Sequence, residues 1–133
     1  MLSDLFYDMN QRIRKYLINA AMKTGKFVYY SELVKDCGLK INLRTLHGQK
    51  KLNAVLDEVS GFECSAGRPL LSAMAIYKDA RRNDHGDGFY YNAEKLGKGN
   101  ARKLRKELYG FVEAENCRVF WQNDNNFKRF FEL

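Results

Sequence analysis

The chain has a single proline, Pro69, among its 133 residues. Proline removes an amide donor and interrupts helices, so its scarcity favours compact helical structure over long loops. Cysteine is also sparse. Cys37, Cys64 and Cys117 are odd in number, widely separated and form no CxxC pair. That spacing argues against a disulfide framework and a zinc ribbon, and points to a reducing compartment. Histidine is limited to His47 and His85, neither with a sequence neighbour that would complete a catalytic dyad. No apolar run approaches the ~20 residues of a membrane span. The early acids Asp4 and Asp8 also interrupt anything like the apolar core of a signal peptide. A cytoplasmic protein without a membrane partner is expected. Internal repeats, low-complexity tracts and Pro/Gly/Ser-rich linkers are missing as well.

What is present is apolar and basic. Hydrophobic residues make up 45% of the chain, enough to bury a core. Lysine and arginine number 23 against 16 acids, a net charge of +7, which favours an anionic partner such as nucleic acid or an acidic protein face.

The order of elements follows from hydrophobic spacing. Leu5, Phe6, Met9, Ile13, Tyr16, Leu17, Ala20 and Ala21 form one helical stripe. Ser3 or Asp4 is available as its cap, Gly25 as its stop, and Arg12, Arg14, Lys15 and Asn19 stand on the opposite face. Phe27 to Tyr29 is β-prone, and Ser31 is placed to cap a brief helix closed by Gly38. After a connection from Lys40 to Arg44, a longer helix is marked by Leu46, Leu52, Val55, Leu56 and Val59. Gly48 weakens its first turn and predicts a start near Gln49. A buried strand over Leu70 to Tyr77 follows, then a charged loop from Asp79 to Gly88 and a return strand, Phe89-Tyr90-Tyr91. Asn100 is placed to cap a last helix striped by Leu104, Leu108, Phe111 and Val112. The aromatic tail, with Phe120, Trp121, Phe127, Phe130 and Phe131, is expected to dock on the core, with a homodimer surface as the alternative.

These elements predict an α+β fold of winged helix-turn-helix type over residues 1–133. A scaffold helix spans 1–25, a strand and helix-turn-helix 27–66, a β-hairpin wing 67–91, and a C-terminal helix with the tail 92–133. The second helix of such an element lies in the major groove. Here it begins with Arg44, His47, Lys50 and Lys51, and no acid appears before Asp57. Arginine, lysine and glutamine pair with base edges or phosphates. The wing adds Arg81 and Arg82. A second basic patch, Arg102, Lys103, Arg105 and Lys106, falls at the expected start of the last helix, where it opposes the helix dipole. No catalytic set is seen. Cys64 is a lone thiol near an arginine, Asp79, Asp84, His85 and Asp87 lack calcium-loop spacing, and Gly86-Asp87-Gly88 is a turn. No metal and no cofactor are expected.

Three segments resemble a largely uncharacterised family of small bacterial and phage domains: Tyr30-Ser31-Glu32-Leu33, Gly67-Arg68-Pro69-Leu70-Leu71-Ser72-Ala73 and Gly86-Asp87-Gly88-Phe89-Tyr90. The family's Pro-Gly before the GF pair is here His85-Gly86. The same order is distantly similar to the winged-helix DNA-binding domain of alkylguanine alkyltransferases and alkyltransferase-like proteins. That likeness implies Tyr30 near a phosphate and Lys50 to Ala54 in a groove. The reactive Pro-Cys-His-Arg of alkyltransferases has no counterpart, which argues against alkyl transfer. The expected function is therefore non-enzymatic nucleic-acid binding, with DNA ahead of RNA. The alternative is a protein-interaction module gripping an acidic partner, such as a phage-encoded inhibitor of a host nucleic-acid enzyme or defence protein.

Overall fold

Leu70, Leu71, Ala73 and Met74 are fully buried in the hydrophobic core. The structure is a computed structural model that describes residues 2–78 and 83–133, with side chains from Asp8 onward. Arg81 and Arg82, and the side chains of Ser3 to Phe6, lie outside the described residues. The fold is α+β and mostly helical. In order come α1 (Leu2–Ala21), β1 (Val28–Tyr29), α2 (Tyr30–Asp36), α3 (Leu46–Ser65), a 3-10 turn (Leu71–Met74), β2 (Ala75–Lys78) and β3 (Asn83–Asp84). Four helices complete the chain: α4 (Asp87–Lys95), α5 (Ala101–Lys106), α6 (Tyr109–Trp121) and α7 (Asp124–Phe130). β2 is central in a three-stranded sheet, parallel to β1 (Val28↔Ala75) and antiparallel to β3 (Tyr77↔Asp84). Among the described residues no helix is long and apolar enough to cross a membrane.

The first half follows its hydrophobic spacing. Ile13, Leu17, Ala20 and Ala21 of α1 are buried, and Gly25 takes the positive φ, 74°, that ends this segment. Two residues depart from the expected stripe: Ile18 is fully buried, and Arg14, expected on the opposite face, is buried at 2% exposure. Helix α2 starts one residue before the expected cap, because Glu32 reaches back to accept the Tyr29 N–H at 3.1 Å, so Ser31 is not its N-cap. Helix α3 starts at Leu46 rather than Gln49. Thr45 Oγ1 accepts the Gly48 N–H at 2.9 Å, and a Cβ on Gly48 would stand only 1.9 Å from the Asn42 carbonyl oxygen. The glycine is there for close approach, so it does not delay the helix.

Three expectations are corrected further on. The strand expected over Leu70–Tyr77 is a strand only from Ala75. Before that, side chains rather than a ladder satisfy the backbone: Glu113 accepts Leu70 N–H at 3.0 Å, Ser60 Oγ accepts Ser72 N–H at 3.1 Å, and Cys117 donates to Leu70 O at 3.3 Å. Phe89-Tyr90-Tyr91 is not a return strand but part of α4. Phe89, Tyr90 and Ala93 are buried and Tyr91 is 61% exposed, a helical pattern that strand alternation cannot produce. The antiparallel partner of β2 is instead Asn83–Asp84. The last helix is broken at Leu108, whose φ is 58°, because Gly110 must meet the buried His85 ring. A Cβ there would lie 2.3 Å from His85 Nδ1, and Tyr90 Oη accepts the Gly110 N–H at 3.2 Å. Leu108 and Val112 consequently face outward, against the expected stripe, at 59% and 53% exposure. The tail folds back: Trp121 is fully buried, and Phe120, Phe127, Phe130 and Phe131 pack partly buried against the core.

Candidate nucleic-acid interface

Helix α3 has three working faces. Leu52, Val55, Leu56 and Val59 enter the core. Gln49, Asn53 and Asp57 recur every four residues on a flank, and Asn53 lies against Gly88 at the start of α4, where an added Cβ would come 2.8 Å from its Nδ2. Burial on this flank raises the Asp57 carboxyl pKa to about 6, with Lys95 of α4 pulling it down. The third face is basic. His47, Lys50, Lys51 and Ala54 share it by three- and four-residue spacing, and Arg44 precedes it.

Arg44, His47, Lys50 and Lys51 are all exposed. None of them makes an ion pair among the described residues. The first turn of α3 carries no acid, so the positive end of the helix dipole adds to these cations instead of being offset. Lys40, also exposed, is a fourth cation, beside Arg44, Lys50 and Lys51, in the loop leading to this end. Its place in a connection hides it from a reading based on helix faces.

The other expected contacts are placed differently. Tyr30 is buried, so it does not stand where a phosphate could reach it. Its Oη accepts the Gly86 N–H at 3.3 Å and stacks edge-on with Tyr77, and burial pushes its phenol pKa far up. Arg81 and Arg82, expected in a wing, fall outside the described residues. Lys78, just before them, sits 5.3 Å over the Tyr29 ring.

The second basic patch is divided. Arg102, Lys103 and Lys106 are exposed, but Arg105 straps β3, α4 and α5 together. It pairs with Asp84 at 3.2 Å and Asp87 at 2.6 Å, and its guanidinium lies 4.6 Å over Tyr90. Because α5 has only six residues, Lys103, Arg105 and Lys106 lie in its last turn. There they favour the dipole they were expected to oppose.

His85, expected in the charged loop, is buried with Nε2 2.6 Å from the Ala73 carbonyl; burial lowers its pKa. It is a core residue. Cys37 and Cys117 are buried and Cys64 is half-buried, and none of the three is bonded to another. No protein-family model matches the chain, and no characterised protein or solved structure is detectably similar to it.

Proposed function

We propose that the chain is a non-enzymatic nucleic-acid-binding protein of the cytoplasm that takes duplex DNA on the first turns of α3, in the manner of a winged helix-turn-helix. The observation that carries this reading is the cluster Arg44, His47, Lys50 and Lys51, exposed and unpaired among the described residues at a helix end without acids. The order helix, strand, two helices and antiparallel strand pair supports it. Two features set it apart from a compact helix-turn-helix: residues 37–45 form a long link between α2 and α3, and β1 joins β2 in parallel. The approach of Asn53 to Gly88 sets the middle of α3 against the start of α4, four residues beyond Asp84. On the motifs quoted above, we also propose membership of the family of small phage and bacterial domains.

A second reading has its own observation. Val112 and Val119 of α6, with Leu108 just before it, are exposed, a surface suited to a protein partner. One titration separates the two. Labelled duplex DNA of random sequence should bind at low salt and weaken steeply as salt rises. Lys50→Glu with Lys51→Glu should cost at least tenfold, and Lys50→Ala alone should lower the salt slope by about one ion. Binding that is absent at low salt, or unchanged in the double variant, sinks the DNA reading and leaves the α6 surface as the lead.

A further inference from the structure

Arg68 and Arg14 share one carboxylate. Arg14 Nε and Arg68 Nε each donate to a different oxygen of the fully buried Glu63. Two guanidinium groups against one carboxylate leave a surplus positive charge at this cluster, with Glu113 a further buried acid in the cavity wall beside Arg68. Arg14 disposes of its share: its terminal nitrogens donate to the carbonyls of Phe131 at 2.8 Å and Phe130 at 2.7 Å. Those carbonyls belong to the negative end of α7. Arg68 has no such outlet. It is only 6% exposed and held between the rings of Phe62 and Phe130, and its Nη2 is buried without a partner among the described residues. An orphaned, charged donor is costly in a folded protein, but this one has almost no accessible surface, so Arg68 meets a ligand only through the small part of its side chain that lines the neighbouring cavity.

Arg68 lines a cavity of about 480 Å³ between the α3–β2 connection and α6. Lys98 and Asn123 stand in the same wall, both exposed. Asn123 uses its side-chain oxygen to cap α7 at 3.1 Å, and its amide hydrogens have no partner among the described residues. Glu113 is the one acid of the wall, and its oxygens already accept from Leu70 N–H at 3.0 Å and Asn116 Nδ2 at 2.9 Å. Two cations and an amide donor suit a phosphate group, and arginine matches its geometry. The volume exceeds that of a bare phosphate, and Val119 and Phe120 supply an apolar side for an organic body.

We propose that this cavity binds an organic phosphate monoester, with the phosphate on Arg68 and Lys98 and the organic part on Val119 and Phe120. The site is separate from the basic end of α3. Most of that helix, 20 residues long and about 30 Å, lies between them.

The test is thermal unfolding with adenosine 5′-monophosphate, adenosine or inorganic phosphate, followed by titration of single-stranded oligonucleotides with and without a 5′-phosphate. The monophosphate should raise Tm by roughly 3 °C or more at saturation, and adenosine should not. Lys98→Ala should leave the unliganded Tm unchanged and weaken the monophosphate about tenfold, the equivalent of one charge-assisted hydrogen bond. The Lys50→Glu/Lys51→Glu variant should bind it normally, which keeps this site distinct from the DNA surface. Tighter binding of the 5′-phosphorylated strand than of the free nucleotide would assign the site to strand ends, and the reverse to a mononucleotide. No Tm shift with any probe overturns the proposal, as does an equal shift in Lys98→Ala or an effect lost in the α3 variant.

Discussion

Asp57 shows how one side chain can work against the fold that holds it. Burial between α3 and α4 raises its pKa from the usual carboxylate value to about 6, and Lys95 offsets only part of this. A folded pKa above the unfolded one means that the folded protein binds the proton more tightly. The associated stability is fully present below about pH 4 and is lost as pH rises through about 6. Asp57→Asn should therefore raise Tm at pH 8 and have almost no effect at pH 4; an equal gain at both would assign the effect to packing alone. Residue-scale errors of reading have a common cause. Arg14 is one and two turns from Ile18 and Ala21, so periodicity allowed it inside, and only its charge argued for solvent. Its partner Glu63 is 49 residues away. Tyr30 likewise carries a plausible phosphate donor by resemblance, yet its hydroxyl is committed to Gly86 across 56 residues.

Elements were legible where local signals agreed. Helices α1, α2 and α3 announce themselves by apolar spacing, by Gly25 and Gly38 at their ends, and by a basic first turn for α3. Gly48 is the instructive exception. Propensity makes it a weak point of α3, whereas the Asn42 carbonyl beside it makes it necessary. Gly48→Ala would be mildly favourable in an isolated helix. In this protein it should instead destabilise by about 1–3 kcal/mol, because the clashing atom is backbone and cannot swing aside. Urea unfolding decides it, and a stabilised variant would mean that the Asn42–Gly48 approach is not kept in solution. Helix α4 was illegible for the opposite reason. Phe89-Tyr90-Tyr91 has high β-propensity, but packing of Phe89 and Tyr90 around His85 outweighs it. The Leu70–Met74 stretch looks like strand because it is almost continuously apolar. Leu71–Met74 is instead a 3-10 turn, and Glu113, Ser60 and Cys117 satisfy the backbone of Leu70 and Ser72 from α3 and α6.

At the scale of the whole molecule, Glu63 is the tie. It joins α3 to α1 through Arg14, to the Gly67-Arg68-Pro69 segment through Arg68, and through Arg14 to the carbonyls at the end of α7. Removing the shared carboxylate leaves two buried guanidinium groups facing each other. Glu63→Gln should cost about 3–5 kcal/mol, the range for breaking a buried ion pair. Calorimetry should show Tm falling by roughly 10 °C or more, and a loss of under 1 kcal/mol would mean that water reaches the cluster. By itself, the sequence determined the α+β class, the first three helices, the basic character of the α3 entry turn and the lack of any membrane-spanning helix among the described residues. Each of these depends on composition or on spacing within about two helical turns, which is the range of local interactions. The tertiary structure alone decided that Phe89 to Tyr91 is helical, that Leu108 breaks the last helix, that Arg105 is strapped to Asp84 and Asp87, and that Arg14 and Arg68 lie inside with one acid between them. Those outcomes turn on partners far apart in the chain, whose burial and pairing energies exceed the local preferences they override.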